Sequence, residues 1–327
     1  MTKLDFVMDL TLAICMYNAR NYIRETLSCI MAQTAQDFKL LIINDCSTDD
    51  SAQVVEDFFK ENPRQYELVN LPVNGGLCAG RRYVEEHADT RYIMFVDADD
   101  CPYPELVEKS YNKIVSDQDL MAVGYYMEYM NLSGKKMKGG IYIGETTKER
   151  FYEKASKGKL IFMASTSIYD RELALKVGGH CVDGFPDGKP RYRDLCEDLD
   201  LWCRMSDLYT EGKAIIVIPE VLYRYRKGDG MSTDSFGMLL RMKHIKNNLR
   251  RRRAGQKDLT FIEFRNSLTA KQEQAIRKEA LSADSLRRGY FSLKKGRIFS
   301  AFFLIMRSIF ANPSYIWQKV KSNLIRR

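Results

Sequence analysis

The side chains best placed for chemistry in this 327-residue chain are polar groups that directly follow apolar runs. The run Tyr92 to Val96 ends abruptly in Asp97-Ala98-Asp99-Asp100. Three carboxylates at the mouth of a buried strand lie a few ångströms apart, which is unfavourable unless a cation neutralises them. Carboxylate oxygens are hard ligands, so Asp97 and Asp99 are candidate ligands for Mg2+ or Mn2+. The plain alternative is a solvated turn, since Asp117/Asp119 and Asp198/Asp200 repeat the Asp-x-Asp spacing. Only the first pair closes a buried strand, which favours a metal there. Tyr17 and Asn18, and Asn44 and Asp45, follow two earlier apolar runs in the same way.

Absent motifs narrow the chemistry. No G-x-G-x-x-G follows the first run and no G-x-x-x-x-G-K-[ST] occurs, so both glycine-rich phosphate cradles are missing. Any bound phosphate would have to be held by the metal. The eight cysteines contain no C-x-x-C pair, and with three histidines no structural zinc spacing can be assembled. They read as reduced packing thiols of a cytosolic protein. Residues 1–10 carry Asp5 and Asp9 and no long apolar stretch, so a secretory signal is not expected.

Groups so far apart in sequence need a scaffold that brings them to one edge. β-rich runs at residues 10–15, 39–43, 66–70, 92–96 and 120–126 alternate with segments of helical length. Ile23, Leu27, Ile30 and Met31 recur on one helical face, as do Val54, Val55, Phe58 and Phe59. Ser47 and Asp50 have capping-box spacing for the second helix. Asn74-Gly75-Gly76 reads as a turn that opens a third. The alternation predicts an α/β fold with a mostly parallel sheet, in which ligands sit beyond the carboxyl ends of the strands.

In that order, Cys15-Met16-Tyr17-Asn18, Ala32-Gln33-Thr34, Ile43-Asn44-Asp45-Cys46-Ser47-Thr48-Asp49, Asn74-Gly75-Gly76-Leu77 with Arg81, and Asp97-Ala98-Asp99-Asp100 resemble the family 2 glycosyltransferases of GT-A fold. Val177-Gly178-Gly179, Cys196-Glu197-Asp198 and Tyr223-Arg224-Tyr225-Arg226 continue the pattern, giving a resemblance over about residues 9 to 235. It implies that Cys15, Tyr17, Asp45 and Arg81 line the nucleobase and ribose pocket, with Asp45 accepting from a uracil imide. Asp97 and Asp99 would be the DXD pair, Asp97 touching the nucleotide sugar and Asp99 the more direct metal ligand. Asp198 would be the catalytic base. Glu197 is its neighbour at a predicted helix start, where successive side chains point about 100° apart, so one of the two faces the site. Charge complementation of the helix N-terminus is the alternative for both.

The chain departs from the family pattern in two places. Asn44-Asp45 replaces a more usual pair of acids, and Lys227-Gly228-Asp229-Gly230 stands where a histidine is usual, leaving Arg224, Arg226 or Lys227 as candidates to hold the diphosphate. Without a Q-x-x-R-W motif or spanning segments, transfer of one sugar per encounter is expected. Residues 178–195, with two prolines and several glycines, form a candidate acceptor loop, or an ordinary surface connection.

Charge divides the chain in two. Residues 241–327 hold 22 Lys and Arg against 5 Asp and Glu, a net +17, whereas the preceding 240 residues carry 29 against 38, a net −9. Ten basic residues and no acid follow Asp284. Ile298 to Phe310 has helical apolar spacing, far short of the roughly 20 residues of a spanning helix. A catalytic domain over 1–235 and a basic helical region over 236–327 are therefore expected, the latter either docked on the domain or lying on an anionic membrane. Arg250 to Arg253 lacks any accompanying nucleic-acid motif. The expected activity is metal-dependent, inverting transfer from a UDP-sugar to a glycan or lipid-linked glycan, on the cytoplasmic face of a membrane. The rivals are a catalytically inert nucleotide-sugar-binding module and a glycosidase, which would need two acids flanking a sugar and no nucleotide.

Overall fold

The computed structural model describes residues 8–228, 234–294, 296–317 and 319. Asp229, Gly230, Lys295, Lys321, Arg326, Arg327 and most of the N-terminal stretch read above lie outside them. Strand β1 (Leu10–Met16), helix α1 (Ile23–Met31), β2 (Lys39–Asn44), α2 (Ser51–Glu61), β3 (Glu67–Asn70), α3 (Leu77–His87) and β4 (Tyr92–Phe95) alternate as expected. β1 pairs in parallel with β2 and β4, and β2 with β3. Six of the seven β1 residues are buried, which explains a continuous rather than alternating apolar run. α1 buries Ile23, Thr26, Leu27 and Ile30. α2 buries Val55, Phe58 and Phe59 on the predicted face.

The capping box is not where the spacing puts it. α2 starts at Ser51, and Ser47 Oγ instead accepts from the Asn18 N–H at 3.0 Å. The turn after β2 is thus tied to the turn after β1 rather than to the helix.

The chain continues through β5 (Cys101–Pro102), α4 (Leu106–Val115), β6 (Leu120–Met130), β7 (Lys136–Ile141), α5 (Lys148–Ser156), β8 (Ile168–Asp170), α6 (Arg171–Lys176), α7 (Glu197–Met205) and β9 (Ala214–Arg226). Among the described residues nine strands form one sheet, in the order β3-β2-β1-β4-β8-β6-β9-β5 with β7 added on β6. The parallel expectation holds for β1 to β4 and for β6 with β9, while β8, β5 and β7 run antiparallel to their neighbours. β5 and β8, with two and three residues, are too short to show a period.

Cys29 of α1 and Cys101 of β5 form a disulfide across 72 residues, with Cα atoms 5.6 Å apart. The expectation that all eight cysteines are reduced is corrected for this pair. α1 packs against β5, a neighbourhood that sequence spacing does not reveal.

Two compact units divide the chain. The first holds the described residues up to Asp183, Cys196–Gly228 and Leu249–Gln256; the second holds Gly184–Leu195, the described residues before Leu249 that follow Gly228, and those from Lys257 onward. The second unit contains α9 (Phe261–Asn266), α10 (Ala270–Lys294) and α11 (Ile298–Ala311), and shares α8 (Ser235–Arg253) with the first. Its core gathers Tyr192, Leu195, Leu240, Phe261, Phe264 and Ile276. Residues 184–195 therefore enter a core: Tyr192 packs on Phe261 at 4.7 Å between centroids, and the buried Arg241 donates to the Leu195 carbonyl at 3.1 Å. The Thr260 and Glu263 capping box starts α9.

Candidate active site

The carboxyl ends of β1, β2 and β4 carry the polar residues singled out in the sequence. After β1 the backbone reaches φ +52° at Asn18, whose Oδ1 accepts from the Thr48 N–H at 2.8 Å. Tyr17 is half exposed on this turn. After β2, Asp45 is buried and its carboxylate accepts from the N–H groups of Gly75 at 2.7 Å and Gly76 at 2.8 Å. Gly76 caps α3 at φ +88°, ψ 171°, a conformation essentially confined to glycine, so its role is the turn that delivers its N–H to Asp45. On the next turn of α3, Gly80 lets the helix approach β1: a Cβ there would lie 3.1 Å from Cys15 Sγ. Burial pushes the Cys15 thiol up to about 12, against the pull of Arg81, so it stays protonated.

Arg81 is the centre of the arrangement. Its guanidinium, 1% exposed, donates to Glu197 Oε1 at 2.8 Å and to Asp97 Oδ1 at 3.0 Å, and lies over the Phe95 ring. Burial opposes its charge, but Glu197 and Asp97 hold its pKa above the ordinary arginine value. One buried cation thus ties the DXD turn to the head of α7, 116 residues from Arg81. Cys196, at φ +56°, turns the chain into α7, and Glu197 is consumed by Arg81 while Asp198 remains half-buried beside it. Asp198 Oδ1 accepts from the Leu199 N–H at 2.7 Å. Burial raises the pKa of Asp198. Burial and the adjacent Asp198 push Glu197 in the same direction, opposed by Arg81. Asp200 pairs with Arg204 at 3.0 Å.

The DXD turn is clamped by its backbone. Thr26 Oγ1 donates to the carbonyls of Ala98 and Asp100 at 3.0 and 2.8 Å, and the Tyr223 hydroxyl accepts from the Asp97 N–H at 3.0 Å. Arg226 donates to the Asp99 carbonyl at 2.6 Å, to Leu132 O at 2.9 Å and to Glu25 at 2.6 Å, and its own N–H reaches Asp100 at 2.7 Å. Of the three basic candidates for the diphosphate, Arg226 is thereby removed: it is a buried brace for the turn. Arg224 lies against Cys101 and over the Tyr103 ring, and Lys227 over Tyr129 and Tyr225.

Asp99 is exposed, while Asp97 is partly covered and paired with Arg81. Desolvation at the carboxyl group and the Asp97 charge push Asp99 up to about 6. A carboxylate held against its own ionisation by a second carboxylate is a donor set suited to a hard divalent cation. Among the described residues no group of three or more His, Cys, Asp and Glu is arranged to hold a metal. A cation here would complete its shell from a ligand and water.

A second buried cluster has no place in the sequence expectations. Glu85, on the Arg81 face of α3, accepts from the His180 N–H at 2.7 Å, bonds His180 Nδ1 at 2.8 Å and accepts from the Tyr169 hydroxyl at 2.9 Å. The signal was present: Cys78, Arg81, Val84 and Glu85 share the buried face of one helix, and two charges on a buried face require partners.

Residues 11–178 match the family described as Glycosyl transferase family 2. The Glu197-Asp198 and Tyr223 to Arg226 motifs lie beyond that span. Glycosyltransferase GlyA of Streptococcus pneumoniae serotype 4 is 27% identical over 230 residues, a stretch that covers 66% of this chain and 30% of GlyA. Among solved structures, S. aureus TarS 1-349 in complex with UDP-GlcNAc superposes with a TM-score of 0.54 at 18% identity, covering 96% of this chain and 92% of that one. The mannosyltransferase PcManGT of Pyrobaculum calidifontis, in complex with GDP-Man and Mn2+, gives 0.54 at 16%, covering 95% and 88%. These likenesses show the fold, which is GT-A. With half the chain matched and its motifs gathered at that edge, the protein belongs to glycosyl transferase family 2.

Proposed function

We propose that the protein is a metal-dependent, inverting glycosyltransferase that moves a hexose or N-acetylhexosamine from a UDP-sugar to a glycan or lipid-linked glycan of a surface polysaccharide. The observation that carries this reading is the Arg81 bridge, which holds the DXD turn and the head of α7 together at the mouth of the parallel strands. The UDP-GlcNAc of TarS and the GDP-Man and Mn2+ of PcManGT support a nucleotide-sugar donor and a divalent ion.

Asp45, held in one orientation by two backbone N–H groups, accepts from the uracil imide, with Tyr17 and Cys15 alongside. Arg81 acts here as a positioning residue, since its two terminal guanidinium nitrogens are engaged by Glu197 and Asp97. Asp97 and Asp99 would hold Mn2+ or Mg2+, which when bound stabilises the negative charge that gathers on the leaving diphosphate. Asp198 takes the proton of the acceptor hydroxyl as that oxygen attacks the anomeric carbon from the face opposite the diphosphate. One displacement inverts the configuration, so an α-linked donor yields a β-glycoside.

The experiment is a panel of UDP- and GDP-sugars incubated with Mn2+ or chelator, read as nucleotide release with and without glycan acceptors. Mn2+-dependent UDP release that rises with acceptor, and a product whose NMR coupling constant shows inversion, are expected. Nucleotide binding without release would establish an inert module. Retained configuration would remove Asp198 as the base of a single displacement.

A further inference from the structure

The hairpin of α10 and α11 has its residue sizes reversed relative to a helix pair folded for water. Small residues line its closest approach: Ser282 and Ser308 are fully buried and each hydroxyl donates to the other's carbonyl, at 2.9 and 2.7 Å. Ala301 is fully buried, and a Cβ on Gly289 would stand 3.0 Å from Ile305 Cγ1. Small seams let helix backbones approach closely and are characteristic of helices that meet in an apolar phase. The phenylalanines face outward, with Phe299, Phe302, Phe303 and Phe310 exposed by 83, 59, 71 and 78%. At roughly 200 Å² per aromatic side chain, these four present on the order of 600 Å² of apolar surface, the upper end of what a monomer shows to water.

Charge decides what covers this face. Arg287 and Arg288 share Asp284, the last acid in the chain, and Arg297 and Arg307 follow with no acid after them. A second copy would set these cations against their own kind, which is unfavourable. An anionic bilayer satisfies both the phenylalanines and the arginines. α11, at 14 residues, is about 21 Å long, short of the roughly 30 Å hydrocarbon core, and no helix among the described residues is long and apolar enough to cross a membrane. We propose that the α10–α11 hairpin docks on an anionic phospholipid bilayer, with α11 in the plane of the interface and its phenylalanine face in the acyl boundary. This inference is independent of the sugar-transfer reading.

The test uses the full chain and the fluorescence of its two tryptophans. Trp202 is buried at 1% exposure and gives a constant background, whereas Trp317, 71% exposed beyond the end of α11, reports on the interface. Vesicles of phosphatidylcholine with phosphatidylglycerol should shift Trp317 emission to the blue and brominated acyl chains should quench it, while phosphatidylcholine alone binds at least about tenfold more weakly. Raised salt should weaken binding without abolishing it, and Phe302→Ser with Phe303→Ser should remove the salt-resistant part, a loss of about tenfold or more. Equal affinity for both vesicle types, or unchanged binding by the double variant, overturns the proposal. So does a phenylalanine-dependent dimer in light scattering that ignores vesicles. Quenching of the unmutated chain decides the matter even where the variant fails to fold: absence of quenching is a refutation.

Discussion

Replacing Arg81 with Met tests whether one buried cation organises the site. The substitution keeps a long apolar stem and removes the charge that faces Glu197, 7% exposed, and Asp97, 27% exposed. Removing one partner of a buried ion pair leaves an uncompensated charge and costs about 3–5 kcal/mol. The partial exposure of Asp97 favours the lower part of that range. At about 2–4 °C per kcal/mol for a unit of this size, melting should fall by on the order of 10 °C. The loss should also depend on pH. Without Arg81 the upward push on Glu197 from burial and Asp198 loses its main opponent and is countered only by a backbone hydrogen bond. Its folded pKa, already raised in the parent, then moves further above its unfolded value of about 4.3, and between those values the folded state binds more protons. Stability of the variant should therefore rise as pH falls from neutral toward 5, within the range where the unfolded glutamate is still ionised. Adding Glu197→Gln should recover part of the loss, with a coupling of about 0.5–3 kcal/mol. Circular dichroism melts of the four proteins of the cycle, at two pH values, measure all of this. An Arg81→Met protein within about 1 kcal/mol of the parent at neutral pH, or a double variant no better than the single one, would refute the bridge.

Asp99→Asn should lower turnover by on the order of 10² with the fold intact, and chelator should reproduce it in a UDP-release assay; full activity in metal-free buffer would contradict the metal site. Asp198→Asn should keep donor affinity by calorimetry and lose transfer. If Asp198 is the base, the acid limb of the parent's kcat profile should lie above the ordinary aspartate range, because burial raises Asp198 and a base must be ionised. A transfer rate unchanged by Asp198→Asn would place the base elsewhere. Gly76→Ala forces a side chain into φ +88° and should cost about 1–3 kcal/mol in urea unfolding, with UDP affinity falling as the N–H to Asp45 moves.

Local pattern made much of the scaffold legible. β1, β2, β4 and β6 begin at the residues where their apolar runs begin, because burial on both faces leaves no choice of side chain along the strand. The turn chemistry of Asn74-Gly75-Gly76 is readable for a different reason: glycine is the residue that tolerates the backbone at Gly76. The antiparallel insertions β5 and β8 were not, since two or three residues carry no period. The start of α2 differs from the expectation because Ser47 has the right spacing for a cap but its hydroxyl is taken by the Asn18 N–H, across the turn.

The site divides along the same line. Acids at the ends of apolar runs, the glycine turn and the helix-start pair at 197 and 198 are features of residue type and order, and sequence alone placed Asp45, Asp97, Asp99 and Asp198 at strand and helix ends. Which acid serves which role is decided by contacts between residues far apart in the chain. Arg81 chooses Glu197 over Asp198 across 116 residues, Arg226 braces a turn 127 residues away rather than reaching for phosphate, and Cys29 meets Cys101 across 72. A charge or thiol carries no local record of its partner, because pairing energy depends on the distance and burial that only the packed sheet and helices create.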